Sequence, residues 1–442
     1  MITTQPDWDA LTRDADRLLR TLFPICRSIT GHGTRSTLNE LRQVADFHLH
    51  EVASGSACYD WTVPDEWNVR DAYVADAHGR RVIDFQSNNV HLVNNSIPFR
   101  GKLGFDELAP HLHTLPDLPN AIPYRTTYYD RAWGFCLSED QFQKLDKKAT
   151  YEVVVDTTLE PGSLTYGEAL LPGTSGDEYL VSTYVCHPSL ANDNLSGVVL
   201  WTLLLREMQK RSHRHSYRFV IAPETIGALV YIARNEAVVR ALKGGFIATT
   251  VAGPGPFGYK ASWCGDALVD RATRLTFCEQ GLEFIEYPFD INGSDERQYS
   301  SPGLRVPVGT ICKDKYYEYP YYHTSLDNLD FIRPEALVET LKITMLTIEK
   351  LELDHTYRSL NPIGEPMLGR RGLYPKLGGS LHQKTSRENV RVTELDAMRW
   401  VLFHSDGKTS LLTIAEMTGV PMDLLAKEAR VLVEAGLLEL VT

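Results

Sequence analysis

The chain has 442 residues, which at roughly 150 residues per domain predicts about three domains. Apolar residues make up 43% and charged residues 23%, so the sequence can fill more than one core and wholesale disorder is excluded. Forty-five basic against 57 acidic residues leave a net charge of −12, which argues against nucleic acid or acidic membranes as partners. No apolar run nears the roughly 18 residues of a membrane span, and the first ten residues lack the basic and apolar regions of a signal peptide. The seven cysteines are scattered. Together these features predict a cytoplasmic protein with reduced thiols.

Leu18, Leu19 and Leu22, then Leu38, Leu41, Val44 and Ala45, recur at helical spacing and predict helices across residues 8–52. A turn-rich stretch from Cys26 to Ser36 separates them. From 58 to 165 short alternating runs take over, such as Tyr151-Glu152-Val153-Val154-Val155, broken by Gly, Pro and Asn. That texture predicts a small β-rich domain. From 166 to 355 apolar runs near 179–186, 217–222, 246–251 and 306–311 alternate with helical periods near 198–210, 227–240, 267–280 and 334–353. The βαβα rhythm predicts an α/β domain with a mixed, largely parallel sheet and helices on both faces. Residues 1–57 belong to that domain in this reading, and 58–165 are inserted into it. A Pro/Gly-rich linker is expected over 356–389, and 390–442 has the helix order of a winged-helix module. From Arg391 onward there are five basic against eight acidic residues. The tail therefore reads as a packing or interaction module rather than a DNA reader.

His187 ends one apolar strand, and Asp193 lies in the loop that opens the next helix. Ligand sites in open α/β sheets form where strand C-termini empty into loops, and a His with an Asp is a donor set for a divalent metal. The bland alternative is an acid favoured by a helix N-terminus beside a chance His. Glu224, in Pro223-Glu224-Thr225-Ile226-Gly227, ends the next strand and is placed at the same edge, where it can serve as a general base. His323 lies in an aromatic turn, Tyr319-Pro320-Tyr321-Tyr322-His323-Thr324. Gly293-Ser294-Asp295-Glu296-Arg297 reads either as a solvated charge run or as a substrate-facing loop. Two look-alikes are set aside. His48 and His50, on a predicted helix, do not share a face. Cys186 and His187, as neighbours on a strand, point to opposite faces and form no dyad.

In this order, His187, Asp193-Asn194-Leu195-Ser196-Gly197, Glu224 with Gly227, Tyr322-His323-Thr324 and Asp327 resemble the signature of the M28-type zinc aminopeptidases. Cys186-His187-Pro188-Ser189, Pro223-Glu224-Thr225-Ile226-Gly227 and Gly293-Ser294-Asp295-Glu296-Arg297 look like a bacterial aminopeptidase-like branch. That branch has a β domain inserted ahead of the metal motifs and a winged helix at the end. The segment from Trp61 to Tyr166, with Trp133-Gly134-Phe135-Cys136, is similar to that insertion.

The resemblance implies that His187, Asp193 and His323 are metal ligands and that Glu224 is the general base. The chain departs from the pattern at Thr225, where a second Glu is expected. Thr249-Thr250-Val251-Ala252-Gly253-Pro254 likewise offers no carboxylate, and Ser189 stands where an Asp usually partners the first histidine. Three ligands remain, so one zinc ion is expected rather than two. Asp295, Glu296, Arg297 and Tyr322 are expected to face substrate, with Asp327 supporting the ligands. The expected activity is zinc-dependent hydrolysis of an amide or peptide bond in a small peptide or aminoacyl conjugate. The alternatives are a non-catalytic descendant that binds a ligand or partner in the old cleft, and a single-zinc enzyme of acyl transfer or cyclisation. The surplus surface of a modular chain also fits a homo-oligomer.

Overall fold

The computed structural model describes residues 6–374 and 393–441. They form two compact units, one reaching to Asp270 and including Glu283–Thr344, the other comprising Arg271–Leu282 and the chain from Met345 onward.

In chain order the first unit opens with α1 (Trp8–Leu22) and α2 (His32–Leu41). The Asp7 side chain accepts the Ala10 N–H at the start of α1, and Leu11, Ala15, Leu18, Leu19 and Leu22 bury one stripe of it. Then come β1 (His48–Ala53), β2 (Glu66–Ala75), β3 (Arg81–Asp84), β4 (Phe99–Gly104), β5 (Thr150–Glu160), β6 (Ser163–Leu171) and β7 (Glu178–Tyr184). The alternating part follows: α3 (Gly197–Met208), β8 (Ser216–Ala222), α4 (Ile226–Ala241), β9 (Gly244–Ile247), β10 (Phe257–Lys260), α5 (Leu268–Gln280), β11 (Phe284–Tyr287), β12 (Val308–Lys313) and α6 (Pro334–Leu353), with α5 from Arg271 and α6 from Met345 assigned to the second unit.

Eight of these strands form one sheet in the order β1-β6-β8-β7-β9-β12-β10-β11. The central strands β8, β7, β9 and β12 are mutually parallel, with Val181 beside Phe219 on one side and Phe246 on the other. Antiparallel strands flank them: β6 on β8, β1 on β6, and β10 on β12. Alternate side chains of β7 serve opposite faces. Leu180 packs in the cluster that holds Ile226, Val230 and Tyr231 of α4, whereas the Trp201 indole of α3 donates to the Val181 carbonyl at 3.0 Å. Helices thus cover both faces, as the βαβα rhythm requires. The four parallel strands all end on one edge, and each empties into a loop there.

The insertion folds as an antiparallel sheet ordered β3-β2-β5-β4 around Trp67, Val74, Phe135, Tyr151 and Val153, all buried. In the second unit, β13 (Thr356–Ser359), α7 (Glu394–His404), β14 (Asp406–Ser410), α8 (Leu411–Thr418), α9 (Met422–Glu434) and β15 (Leu438–Leu440) make a helical trio with a three-stranded antiparallel sheet. Thr393 and Ser410 cap α7 and α8 with their hydroxyls.

Four sequence expectations change here. Residues 48–53 form a strand rather than the end of a helix, because β1 pairs with β6 more than a hundred positions away, a partner that local periodicity does not reveal. His48 and His50 therefore do share a face; His50 stacks on Tyr166 and lies 3.5 Å from Glu168. The expected linker over 356–389 begins with β13, the central strand of the small sheet; its later part, 375–389, lies outside the described residues. The strands β10 and β11 extend the large sheet beyond the predicted set. Among the described residues no helix is long and apolar enough to cross a membrane.

Candidate functional site

β7 stops at Tyr184, so Val185 to Leu190 leave the sheet as a loop and carry His187 with them. The buried Arg27 guanidinium holds this loop, donating to the carbonyls of His187 at 2.8 Å and Pro188 at 2.7 Å. The chain then passes through Asp193, whose φ of −110° and ψ of 92° break the helical path, and enters α3 at Gly197. Glycine is required there, because a Cβ would lie 2.3 Å from the Ala248 carbonyl oxygen. Asp327 fixes the turn from the far side. Its carboxylate accepts the Asn192 N–H at 2.6 Å, the Asp193 N–H at 2.9 Å and the Tyr319 hydroxyl at 2.9 Å. Burial raises the Asp327 carboxyl to about 7 against these hydrogen bonds.

Among the described residues, His187, Asp193 and His323 present donor atoms that all lie within 4.8 Å of one another. His323 Nε2 is 2.9 Å from Asp193 Oδ2, and His187 Nε2 is 3.8 Å from the same oxygen. Asp193 Oδ2 and His323 Nε2 are both buried, yet neither makes a hydrogen bond. Two buried polar atoms at contact distance without hydrogen-bond geometry are costly unless they share a third partner. A carboxylate oxygen and two imidazole nitrogens are a suitable donor set for a divalent cation. Burial pushes the His187 imidazole down to about 4, so it is neutral at pH 7. Burial opposes ionisation of Asp193, but His187, His323 and the Tyr184 hydroxyl outweigh it and hold the carboxyl at about 2. Both groups are thus in the protonation state of metal ligands.

Glu224 follows β8, with Oε2 3.9 Å from His187 Nε2. Burial, reinforced by the charges of Asp295 and Asp193, raises its carboxyl well above the usual range. Asp295 Oδ1 accepts the Thr225 N–H at 2.7 Å, and Oδ2 is buried without a partner. Burial lifts this carboxyl to about 7. Thr225, Thr250 and His323 have φ of 60°, 49° and 55°. Left-handed backbone at non-glycine residues is strained, and here it recurs where the loops converge.

The sequence-predicted residues do not all meet at this point. His187, Asp193, His323 and Glu224 do. Tyr322 stacks on His323 at 3.9 Å between ring centroids, and Arg297 is exposed at the rim beside Asp295. Glu296 differs from its expected role. It is 1% exposed and its oxygens accept Lys260 Nζ at 2.8 Å, the Tyr316 hydroxyl at 3.0 Å and the Ser294 N–H at 3.0 Å. With those contacts it holds the loop and has nothing left for a substrate. Asp327 supports the Asp193 turn through the backbone rather than touching a ligand side chain.

Other participants carried no sequence signal. The inserted domain sends Tyr124 against the site, its ring 5.3 Å from His187 and 5.2 Å from His323. The Tyr124 N–H donates to the His323 carbonyl at 2.8 Å, and Ile122 and Ser325 bond reciprocally beside it. Tyr184 donates to Asp193 Oδ1 at 2.6 Å and lies 2.7 Å from the Thr249 hydroxyl. The alternation that keeps Cys186 and His187 on opposite faces requires a strand that persists through Cys186. Because the strand has already ended, Cys186 Sγ comes within 3.7 Å of His187 Nδ1.

Several known proteins share this plan. The sequence profile of a family described as a domain of unknown function, DUF4910, matches residues 16–354, and a winged helix-turn-helix profile matches residues 355–440. A Clostridium acetobutylicum protein with the provisional name polysaccharide biosynthesis protein with aminopeptidase-like domain is 43% identical over 424 residues, 96% of this chain and 95% of its own length. A crystal structure of a protein from that organism, provisionally named a peptidase, superposes with a TM-score of 0.90 at 41% identity, covering 98% of this chain and 97% of that one. A zinc aminopeptidase from Bacillus subtilis gives a TM-score of 0.55 at 14% identity over 78% of this chain and 94% of its own. At that identity the likeness speaks for the fold, which is the zinc-aminopeptidase fold anticipated from the motifs.

Proposed function

This chain belongs to the DUF4910 family, and from its site we propose that it is a metal-dependent hydrolase of an amide bond in a small peptide or aminoacyl conjugate. The observation that carries the reading is the pair of buried, unbonded atoms Asp193 Oδ2 and His323 Nε2 at 2.9 Å, with His187 beside them. His187, Asp193 and His323 would hold the ion, and one ion is the expected number. Asp193 Oδ1 is already committed to the Tyr184 hydroxyl, Thr225 stands where one further carboxylate would be needed, and the stretch 249–254 offers none. Zinc bound there supplies Lewis acidity toward a carbonyl oxygen and toward water.

Glu224 takes the proton from the attacking water and returns it to the leaving nitrogen. A carboxyl group at this position can serve as the proton acceptor and then the donor. Asp295 fixes the Thr225 N–H and so the direction of the Glu224 loop. Tyr322, stacked on His323, and Arg297 at the rim are the side chains offered to the substrate. Tyr124 packs its ring against both histidines. The name of the Clostridium relative favours a conjugate, so a suitable panel holds aminoacyl anilides, dipeptides and N-acyl amino sugars.

The test combines elemental analysis of the purified protein with turnover of that panel. We expect one zinc per chain. Glu224→Gln should keep that zinc and the thermal midpoint while lowering turnover by about 10²–10⁴-fold. A Glu224→Gln variant with normal activity, or a wild-type chain without metal affinity, refutes the assignment.

A further inference from the structure

Resting on that metal reading, we propose that the Cys186 sulfur is the positioning group for His187, accepting its Nδ1–H so that Nε2 is left free to ligate. A neutral imidazole carries one N–H, and the contact made by one nitrogen decides what the other can do. His187 Nε2 faces Asp193 Oδ2 at 3.8 Å and Glu224 Oε2 at 3.9 Å. A proton there would be drawn to those acids, and no lone pair would remain for a cation. The opposite nitrogen, Nδ1, lies 3.7 Å from Cys186 Sγ. The same sulfur receives the Glu224 N–H at 3.3 Å. A thiol sulfur is a weak acceptor, and here two N–H groups from different loops converge on it. It therefore ties the ligand loop to the loop of the general base.

Other candidates for the role are committed elsewhere. Ser189, where an acidic partner was expected, donates its hydroxyl to the Phe23 carbonyl at 2.6 Å and its N–H to Asn89 at 3.1 Å. Arg27 grips the His187 backbone, which fixes the main chain but leaves the ring free to turn. Groups that orient a metal-binding histidine usually change metal affinity by about 10–100-fold when removed. A sulfur is a weaker acceptor than a carboxylate, so it directs the ring while adding less basicity to the ligand.

The experiment uses the full chain as wild type, Cys186→Ala and Cys186→Ser, with zinc and cobalt(II) as probes. We expect the zinc dissociation constant of Cys186→Ala to rise about 10–100-fold, and Cys186→Ser to recover most of the loss because its oxygen accepts the same proton. The cobalt(II) form of the wild type should lack the intense near-ultraviolet band of a sulfur ligand. Histidine nitrogen NMR on the zinc-free wild type, with the His187 signal identified by its loss in His187→Gln, should show the Nδ1–H tautomer. Affinity in Cys186→Ala within about threefold of wild type, an Nε2–H tautomer, or a sulfur-to-cobalt band that disappears in Cys186→Ala would each overturn the proposal. A wild-type chain that binds no zinc refutes the metal reading instead. The tautomer, read on the unmutated protein, then still decides what Cys186 does.

Discussion

Two acid-bearing loops flank Glu224, and both bury a carboxylate to 1% exposure. Around Glu296 every oxygen is used: Lys260, Tyr316 and Ser294 converge on it, and Lys260 also donates to the carbonyls of Asp290 and Asn292 at 3.1 Å. Around Asp193 one oxygen is used by Tyr184, whereas the other faces two histidine nitrogens with no hydrogen bond between them. Burial is the same, yet the Glu296 carboxylate is closed in an ion pair and Asp193 Oδ2 holds lone pairs in reserve. A buried acid is thus informative about chemistry only when its partners are counted, because satisfied charges stabilise a loop and unsatisfied ones await a ligand.

The comparison breaks most readily at Lys260. Lys260→Met strands the Glu296 charge in the interior and should lower stability by about 3–5 kcal/mol, measured by urea unfolding. Lys260→Met combined with Glu296→Leu should recover much of that loss. A silent Lys260→Met would show that the Glu296 loop is not held by this pair. Next in size is Asp327→Ala, which removes the acceptor from two buried N–H groups on the Asp193 turn. It should cost about 1–3 kcal/mol and weaken zinc binding with no change in the residues that touch the ion. Unaltered zinc affinity would disconnect the turn from the site.

The smallest effect comes from a half-buried pair that serves as a control. Burial works against the Glu66 charge, but hydrogen bonds from Arg35, Asn68 and the Ser163 N–H hold its carboxyl at about 2. Since the folded value lies below the ordinary 4.5, its contribution is whole above pH 4.5 and is lost as pH falls toward 2. At about 1 kcal/mol or less, it should appear as a shallow slope in the pH dependence of unfolding that Glu66→Gln abolishes.

Much of the site was legible because its chemistry is carried by strand ends. His187 and Glu224 each follow an apolar run, and parallel strands necessarily place such ends on one edge. The loop around Glu296 was not legible. Its polar cluster reads the same whether solvated or paired, and the deciding partner, Lys260, sits 36 positions earlier in β10, between β12 and β11. The approach of Cys186 to His187 was not legible for a local reason: a strand two residues shorter than its apolar run removes the alternation that would keep neighbours apart.

The sequence alone determined the α/β rhythm, the helix over 334–353, the winged-helix order of the tail and His187 with Asp193 as candidate ligands, since all of these follow from short-range periodicity and residue type; His323 entered through the family resemblance. Tertiary structure decided the rest. It chose strand over helix at 48–53, brought Tyr124 from the insertion to both histidines, and separated the spent acid from the unspent one. Those outcomes depend on partners tens to hundreds of residues apart, and hydrogen-bond satisfaction is a property of the assembled interior rather than of any stretch of chain.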